Sequence, residues 1–495
     1  VSSKPSTDTR RQLAVITLLV ALLVGSITGS AFLASRPATT ATEETDERVQ
    51  RAVELPPAFQ QLHEREITGE NVTVGMIDAT GFDTDHRALS GRIEATRTFA
   101  TGTVRNGGRN DHGTAAASVL ARTAPNASLY LAAVDSGRDF RAAVAWLLRQ
   151  DVDVIVAPVA FYGKPGDGSS QVARAAAAAV DRGVVFVAPT GNLGQRHWEG
   201  AFDPTAGGVH RFDTGIEGEQ KDRETGRDGG DETTVEIDGE ASRLRVWLSV
   251  EAGARSVVAS DLEDAFELRL YRVDGNRTRL VARSQPFGGD RATNERIVAS
   301  VDPAGTYVLR LRGPANASGV EVAISSPSHD LSVVNRSGSL VAPATGEGVL
   351  GVGAYDSRRG RVEPFSSVGT SGRDGVDLLA PDRLHTTVSP DGLVGTSAAT
   401  PYVGGVVALL LQVAPELTPE EVEQVLKRTA VPVTAEPPHA DGAGVVSPTA
   451  AVGEASNETS RRGESDPDAI DGGDPQTGPL KSGFERSEHL HVGRA

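Results

Sequence analysis

The sequence predicts an α/β fold, a parallel sheet with helices on both faces, interrupted by an inserted all-β sandwich. Three observations carry that expectation. From Val72 short β-rich runs alternate with amphipathic helical stretches; after about residue 205 the apolar period becomes two; and from Val349 the α/β alternation resumes. At 495 residues the chain holds enough material for two or three domains with a sizeable core.

Residues 1–12 form a basic start ending in Arg10-Arg11, which resembles a twin-arginine export signal. The apolar run 13–34, Leu13 to Ala34, is long enough to cross a bilayer, and its small residues Gly29 and Ala31 also suit a signal peptide. Either reading exports the rest, so the expected location is extracytoplasmic, anchored by this segment or secreted after its cleavage. Residues 35–49, rich in Thr, Ala and Glu, read as a linker.

The first α/β part spans 50–204. Val72–Ile77, Ser128–Val134, Val152–Val156 and Val184–Ala188 read as buried strands, whereas Arg138–Gln150 and Gln171–Arg182 carry helical spacing, as in Phe140, Val144, Leu147 and Leu148. Gly and Asp accumulate after Trp198. Apolar residues then alternate at Leu244, Val246, Leu248 and Val250, at Phe266, Leu268 and Leu270, and at Tyr307, Leu309 and Leu311, with turn signals such as Asp274-Gly275 between runs. That pattern predicts an antiparallel sandwich over 205–335. The second α/β part spans 336–452 and contains a helix opening at Thr418-Pro419-Glu420-Glu421, where Thr418 is an N-cap, Pro419 sits at the first helical position and Glu421 completes a capping box. Residues 453–495 are acidic and nearly free of large apolar side chains, which predicts a disordered tail.

Net charge is −17, and only five residues are Lys. This acidic, Lys-poor balance argues against a nucleic-acid partner, which needs a basic stripe, and fits a halophilic, archaeal protein that must stay hydrated in strong salt. Cysteine is absent, which removes disulfides, thiolate catalysis and Cys-based metal sites.

The chemistry centres on Gly395 to Pro401, G-T-S-A-A-T-P, which sets Ser397 between small residues at a helix start. The unpaired N–H groups and positive dipole end of a helix N-terminus suit a developing oxyanion. A serine nucleophile needs a base. His112, in D-H-G-T-A, is followed by Gly and small residues that let a helix begin and pack closely; His86, in the loop after the first strand, lacks that Gly. Asp78 ends the strand V-T-V-G-M-I-D, at the carboxyl edge where an open α/β sheet places its site, and is the carboxylate expected to orient the imidazole. Asp111 adjoins His112 but diverges from it, and Asp83 and Asp85 suit loop structure. Asn192, in T-G-N after an apolar strand, offers a side-chain amide as oxyanion donor; alone, Gly191-Asn192 is an ordinary turn dipeptide.

Taken together, I-D-A-T-G-F-D at Asp78, D-H-G-T-A at His112, T-G-N at Asn192 and G-T-S-A-A-T-P at Ser397 resemble the subtilisin-like (S8) serine protease family, in its Asp, His, Ser order. The resemblance covers roughly 50–205 and 335–452. It implies a subtilisin-like sheet, endopeptidase activity through an acyl-enzyme, no required cofactor, and protein or peptide substrates acted on by a monomer. It assigns Ser397 as nucleophile, His112 as general base and then acid, Asp78 as orienting carboxylate and Asn192 as oxyanion donor. It also implies that substrate adds as a strand along Val134–Gly137 and Pro158–Ala160, making Gly137, Pro158, Val159 and Ala160 the expected substrate-binding residues.

Calcium is common in the family, yet the Asp203-to-Asp213 loop is too poor in carboxylates to mark a site, and no metal residues are assigned. Many members carry a folding-assistant propeptide, for which the residues between the apolar run and Val72 leave no room. The chain departs from the family pattern at Ala79, which lengthens the Asp turn, at Pro158, which has no N–H, and at Ala398 and Tyr402, where Met and His are common. A peptide-binding relative without catalysis is the alternative reading. An α/β-hydrolase fails, because Ala399 stands at the last Gly of the G-x-S-x-G elbow and the triad order differs.

Overall fold

The computed structural model describes residues 56–100, 111–164, 166–212, 233–250, 266–287, 293–369, 375–434 and 439–464. The basic start, the apolar run 13–34, the linker 35–49 and residues 465–495 lie outside the described residues.

Eight strands form the central sheet: β1 (Thr73–Asp78), β2 (Ile93–Thr98), β3 (Ser128–Ala133), β4 (Val154–Val156), β5 (Val185–Pro189), β16 (Leu350–Asp356), β17 (Arg361–Val362) and β18 (Leu378–Pro381). Their order is β17-β16-β5-β4-β1-β3-β2, with β18 also beside β16. Every pairing is parallel except β16 with β17. β4 and β5 are apolar at every position because helices cover both faces.

On one face lie α1 (Pro57–His63), α2 (His112–Thr123), α5 (Thr396–Val413), α6 (Pro419–Thr429) and α7 (Pro448–Glu464), sharing a core with Val74, Met76, Val154 and Val187. On the other lie α3 (Gly137–Leu147), continued by one 3₁₀ turn to Gln150, and α4 (Gln171–Val180), packed on Ile77, Ile155 and Phe186. Ser136 caps α3 by accepting the Asp139 N–H, and the Thr418/Glu421 capping box opens α6.

α5 is apolar enough to cross a membrane, but its composition answers to burial inside this domain. Two glycines set its position. A Cβ on Gly404 would lie 2.4 Å from Val156 Cγ2 of β4, and one on Gly405 would lie 1.9 Å from Thr123 Oγ1 of α2. α5 is thereby wedged between the sheet and α2, which brings the starts of α2 and α5 to the same sheet edge.

The insertion is a sandwich of two five-stranded antiparallel sheets. One consists of β6 (His197–Ala201), β8 (Arg243–Val250), β11 (Gln285–Pro286), β12 (Thr293–Ser300) and β14 (Glu321–Ser325). The other consists of β7 (Val235–Asp238), β9 (Glu267–Asp274), β10 (Arg277–Arg283), β13 (Thr306–Arg312) and β15 (Asp330–Leu331). The alternating residues of β8, β9 and β13 point into a shared core with Trp198, Phe202 and Phe212.

Two expectations need correction. The sandwich takes its first strand from His197–Ala201, ahead of residue 205, because Trp198 enters its core and β6 pairs with β14. Residues 453–464 are helical: α7 carries the chain past residue 453 because Ala451, Val452 and Ala455 are buried against the main core, while Glu454 and Glu458 face Arg428. Small residues suffice for that contact, so a scarcity of large apolar side chains does not prevent a packed helix here.

The two kinds of helical glycine give opposite outcomes on substitution. Gly405→Ala is expected to lower the unfolding free energy by about 1–3 kcal/mol through overpacking against Thr123. Gly453→Ala, where a Cβ meets nothing within 4 Å, should raise it by about 0.5–1 kcal/mol through helix propensity. Denaturant unfolding of the two variants checks both signs.

Candidate active site

The C-terminal ends of β1, β3, β4 and β5 converge where α2 and α5 begin, the edge at which open α/β sheets hold their sites. β1 delivers Asp78, which is fully buried. α2 starts at His112 and α5 presents Ser397 as its second residue. The three side chains form one hydrogen-bonded line. His112 Nδ1 lies 2.7 Å from Asp78 Oδ2, and His112 Nε2 lies 2.9 Å from Ser397 Oγ. An ionised carboxylate only accepts, so Nδ1–H donates to Asp78 and Nε2 is left to accept the Ser397 hydroxyl proton.

Burial pulls the His112 pKa down, but the charge of Asp78 and its hydrogen bond outweigh it and hold the imidazole above its ordinary value.

The extra residue Ala79 is absorbed by Thr80. Both Thr80 N–H and Thr80 Oγ–H donate to Asp78 Oδ1 at 2.7 Å, which leaves Oδ2 for His112, and Thr80 Oγ1 accepts the Gly113 N–H at 2.8 Å. The lengthened turn therefore orients the carboxylate and ties it to the start of α2. Gly113 is what permits that approach: a Cβ there would lie 2.1 Å from Gly81 O and 2.9 Å from Asp78 Oδ1.

Asn192 follows β5 and is fixed from one side. Its Oδ1 accepts from Thr396 N–H and Thr396 Oγ–H, each at 3.0 Å, which leaves Nδ2 as the free end of the amide in the cleft. Thr396 Oγ1 also accepts the Gly191 N–H at 3.2 Å. Gly395, at φ 118°, makes the sharp entry to α5, and a Cβ on it would approach Asn192 Nδ2 to 2.9 Å. The Gly395 N–H donates to the buried Asp382, whose carboxyl burial pushes up to about 6. Ser397 N–H, in the first turn of the helix, has no intrahelical acceptor.

These groups line a cleft of about 340 Å³ that also contains Val134, Pro158, Val159 and Ala160. Of the expected substrate residues, Gly137 is placed elsewhere: as the first residue of α3 it lines an adjoining cavity. The Pro158 edge is poor in donors. Pro158 has no N–H, Val159 N–H is spent on Ala157 O at 2.7 Å, and Phe161 N–H donates to Ala342 O. His86 is remote from this arrangement, in a turn where its Nδ1 accepts the Ala88 N–H. Asp83 Oδ1 accepts the Asp85 N–H within the same loop, and Asp111 is the exposed N-cap position of α2.

Sequence reasoning missed Thr80, Thr396 and Asp382 as supports. Thr80 had a signal, since a residue two beyond an Asp is the usual partner in an Asx turn. Among the described residues no group of three or more His, Asp or Glu is arranged to hold a metal, and Asp203, in the loop considered for calcium, pairs with Arg211 at 2.9 Å.

The chain matches the subtilase family (peptidase S8) over residues 69–250 and 310–461. Serine protease AprX of Bacillus subtilis is 33% identical over 134 residues, covering 22% of this chain and 30% of the relative. Subtilisin DY of Bacillus licheniformis is 32% identical over 133 residues, 26% of this chain and 46% of the relative. An extracellular protease of Xanthomonas campestris pv. campestris is 38% identical over 156 residues, 29% of this chain and 26% of the relative. The matched segments span less than half the length of these relatives. The Clostridium perfringens CspB protease superposes with a TM-score of 0.55 at 18% identity, covering 83% of this chain and 99% of that one, a likeness of fold. With a family match that extends over more than half of its length, the chain belongs to the subtilase family.

Proposed function

We propose that this subtilase is an exported serine endopeptidase with Ser397 as nucleophile, His112 as general base and acid, and Asp78 as the orienting carboxylate. The observation that carries the reading is the continuous line from Asp78 through His112 to Ser397, with hydrogen bonds of 2.7 and 2.9 Å. Ser397 Oγ attacks the scissile carbonyl as His112 Nε2 takes its proton. The oxyanion receives hydrogen bonds from Asn192 Nδ2–H and the Ser397 N–H at the positive end of α5. His112 then gives the proton to the leaving amine, an acyl-enzyme remains on Ser397, and a water activated by His112 hydrolyses it. Export rests on the sequence of residues 1–34, and the halophilic setting on the acidic, Lys-poor composition. The non-catalytic alternative rests on the lengthened Asp turn and on Pro158; against the first, Thr80 holds Asp78 Oδ1 while Oδ2 lies 2.7 Å from His112 Nδ1, and the donor-poor Pro158 edge is what still favours it.

The proposal is tested by a fluorophosphonate probe on the folded protein. A covalent adduct is expected on Ser397 and none on Ser397→Ala; an unlabelled wild type overturns the endopeptidase reading. Asn192→Ala is expected to lower kcat by about 10²–10³-fold with a smaller change in KM.

The base must be neutral to act, so the acid limb of kcat/KM should fall above pH 6.5, the unperturbed histidine value being about 6.5. Asp78→Asn removes both raising influences and leaves burial, which should move the His112 titration below that value while the rate drops about 10⁴-fold. The same shift links to stability. The raised pKa contributes stability present in full below about pH 6.5 and lost as pH rises through the higher folded value. NMR titration of His112 in the wild type and in Asp78→Asn reads the sign directly.

A further inference from the structure

Beside the catalytic cleft lies a second cavity of about 550 Å³, and the two share Asp135, Ala160, Phe161 and Tyr162. One wall belongs to the α/β domain and the other to the inserted sandwich. Arg138 and Arg141 stand on the first turns of α3, three residues apart and so on one face. Lys164 comes from the loop that follows the Pro158 edge, and Arg296 from β12 of the sandwich. Trp247 and Phe287 complete the sandwich side.

The charge of this cavity runs against the rest of the chain. Acidic residues outnumber basic ones by 66 to 49 overall, yet four cationic side chains line the cavity against the single carboxylate of Asp135. Asp139, the nearby acid on α3, is engaged at the helix start, accepting from Ser136 Oγ–H at 2.8 Å and Asp135 N–H at 3.3 Å. Among the described residues no carboxylate pairs with Arg138, Arg141 or Arg296. Arg296 lies 4.5 Å from the centroid of the Phe287 ring and Lys164 Nζ 5.9 Å from the same centroid, so one aromatic ring has two cations beside it. Arg138 and Arg141 are exposed and Arg296 is half-buried, so this cluster of like charge opens to solvent, where it favours the approach of an anion.

The geometry is built into the fold. Gly163, at φ 64°, leaves room for Trp247 against the substrate-edge loop; a Cβ there would lie 2.3 Å from Trp247 Cδ1. Tyr162 packs against Trp247 with ring centroids 5.5 Å apart and planes tilted by 36°. The sandwich is thereby seated on the loop whose preceding edge has few backbone donors to offer a peptide.

We propose that the inserted sandwich and α3 together form a specificity subsite for a carboxylate side chain of the peptide bound in the cleft, with Arg141 and Arg296 as its principal contacts. The inference rests on the peptidase reading of the cleft and names the substrate class that reading leaves open: peptides bearing Asp or Glu a few residues from the scissile bond. Guanidinium groups suit that ligand because they hold a carboxylate through paired N–H donors.

The test is equilibrium binding of fluorescent peptides to the full chain carrying Ser397→Ala, each peptide presenting Glu or its neutral isostere Gln at one successive position. At one position Glu is expected to bind about tenfold more tightly than Gln at low salt, the advantage shrinking as ionic strength rises. Adding Arg141→Ala and Arg296→Ala should bring the Glu-to-Gln ratio close to one, and Arg296→Glu should invert it. A ratio near one at every position in the parent, or a preference that survives the double substitution, overturns the proposal. Hydrolysis of the same peptides with Ser397 intact is read separately. A Glu preference without hydrolysis or probe labelling keeps the subsite and removes the peptidase, and hydrolysis without the preference does the reverse.

Discussion

The clamp between Asn192 and Thr396 is the interaction on which the rest of the site depends. The two residues are 204 positions apart, with the whole sandwich between them, yet the Asn192 carboxamide accepts two bonds from Thr396, and Thr396 accepts a third from Gly191. These bonds align the end of β5 with the start of α5. Without them the Asn192 amide and Ser397 would belong to separately moving segments. Other contacts then fall into place: Asp382 holds Gly395 from below, Thr80 holds Asp78 beside His112, and the paired glycines of α5 bring its N-terminus to the sheet edge. Positioning of this kind is worth more to a reaction than any single added contact, because geometry fixed beforehand need not be reorganised in the transition state.

The parts of this arrangement legible in sequence were those written in short, chemically constrained stretches. Asp78 at a strand end, His112 before a glycine and Ser397 among small residues each carry a local reason for their identity. The α/β alternation is visible because buried parallel strands are continuously apolar. What was not legible depends on partners distant in the chain. Thr396 looks like an ordinary helix-start residue until Asn192 is beside it. Gly137 sits next to the expected edge in sequence but turns into α3 and leaves the cleft. The helix past residue 453 is held by small side chains whose burial depends on α1, α5 and α6, a tertiary effect that composition does not encode.

The lengthened Asp turn illustrates how a local irregularity is absorbed. An added Ala79 displaces the next residue, but Thr80 can donate through both its backbone and its hydroxyl to one carboxylate oxygen and can accept from Gly113 with the same hydroxyl. A side chain with only a donor or only an acceptor could not make that set of bonds. The irregularity has become a brace, and the carboxylate keeps its second oxygen for the imidazole.

The sandwich leaves the α/β domain just after Asn192 and returns at Val341, whose N–H donates to Thr190 O at 3.0 Å, while Ala342 receives the Phe161 N–H at 2.9 Å. Its two ends therefore lie side by side, as the ends of a loop do. Topologically the sandwich is a very large loop, and a parallel sheet can accept such a passenger without changing strand order. Mechanically it is no passenger, because Trp247 fills the space that Gly163 leaves open. Exchange of the sandwich for another module would preserve the fold and the clamp but would rebuild one wall of the cavity beside the cleft, so variation in this segment is a route by which one α/β frame acquires differently shaped surroundings for the same cleft.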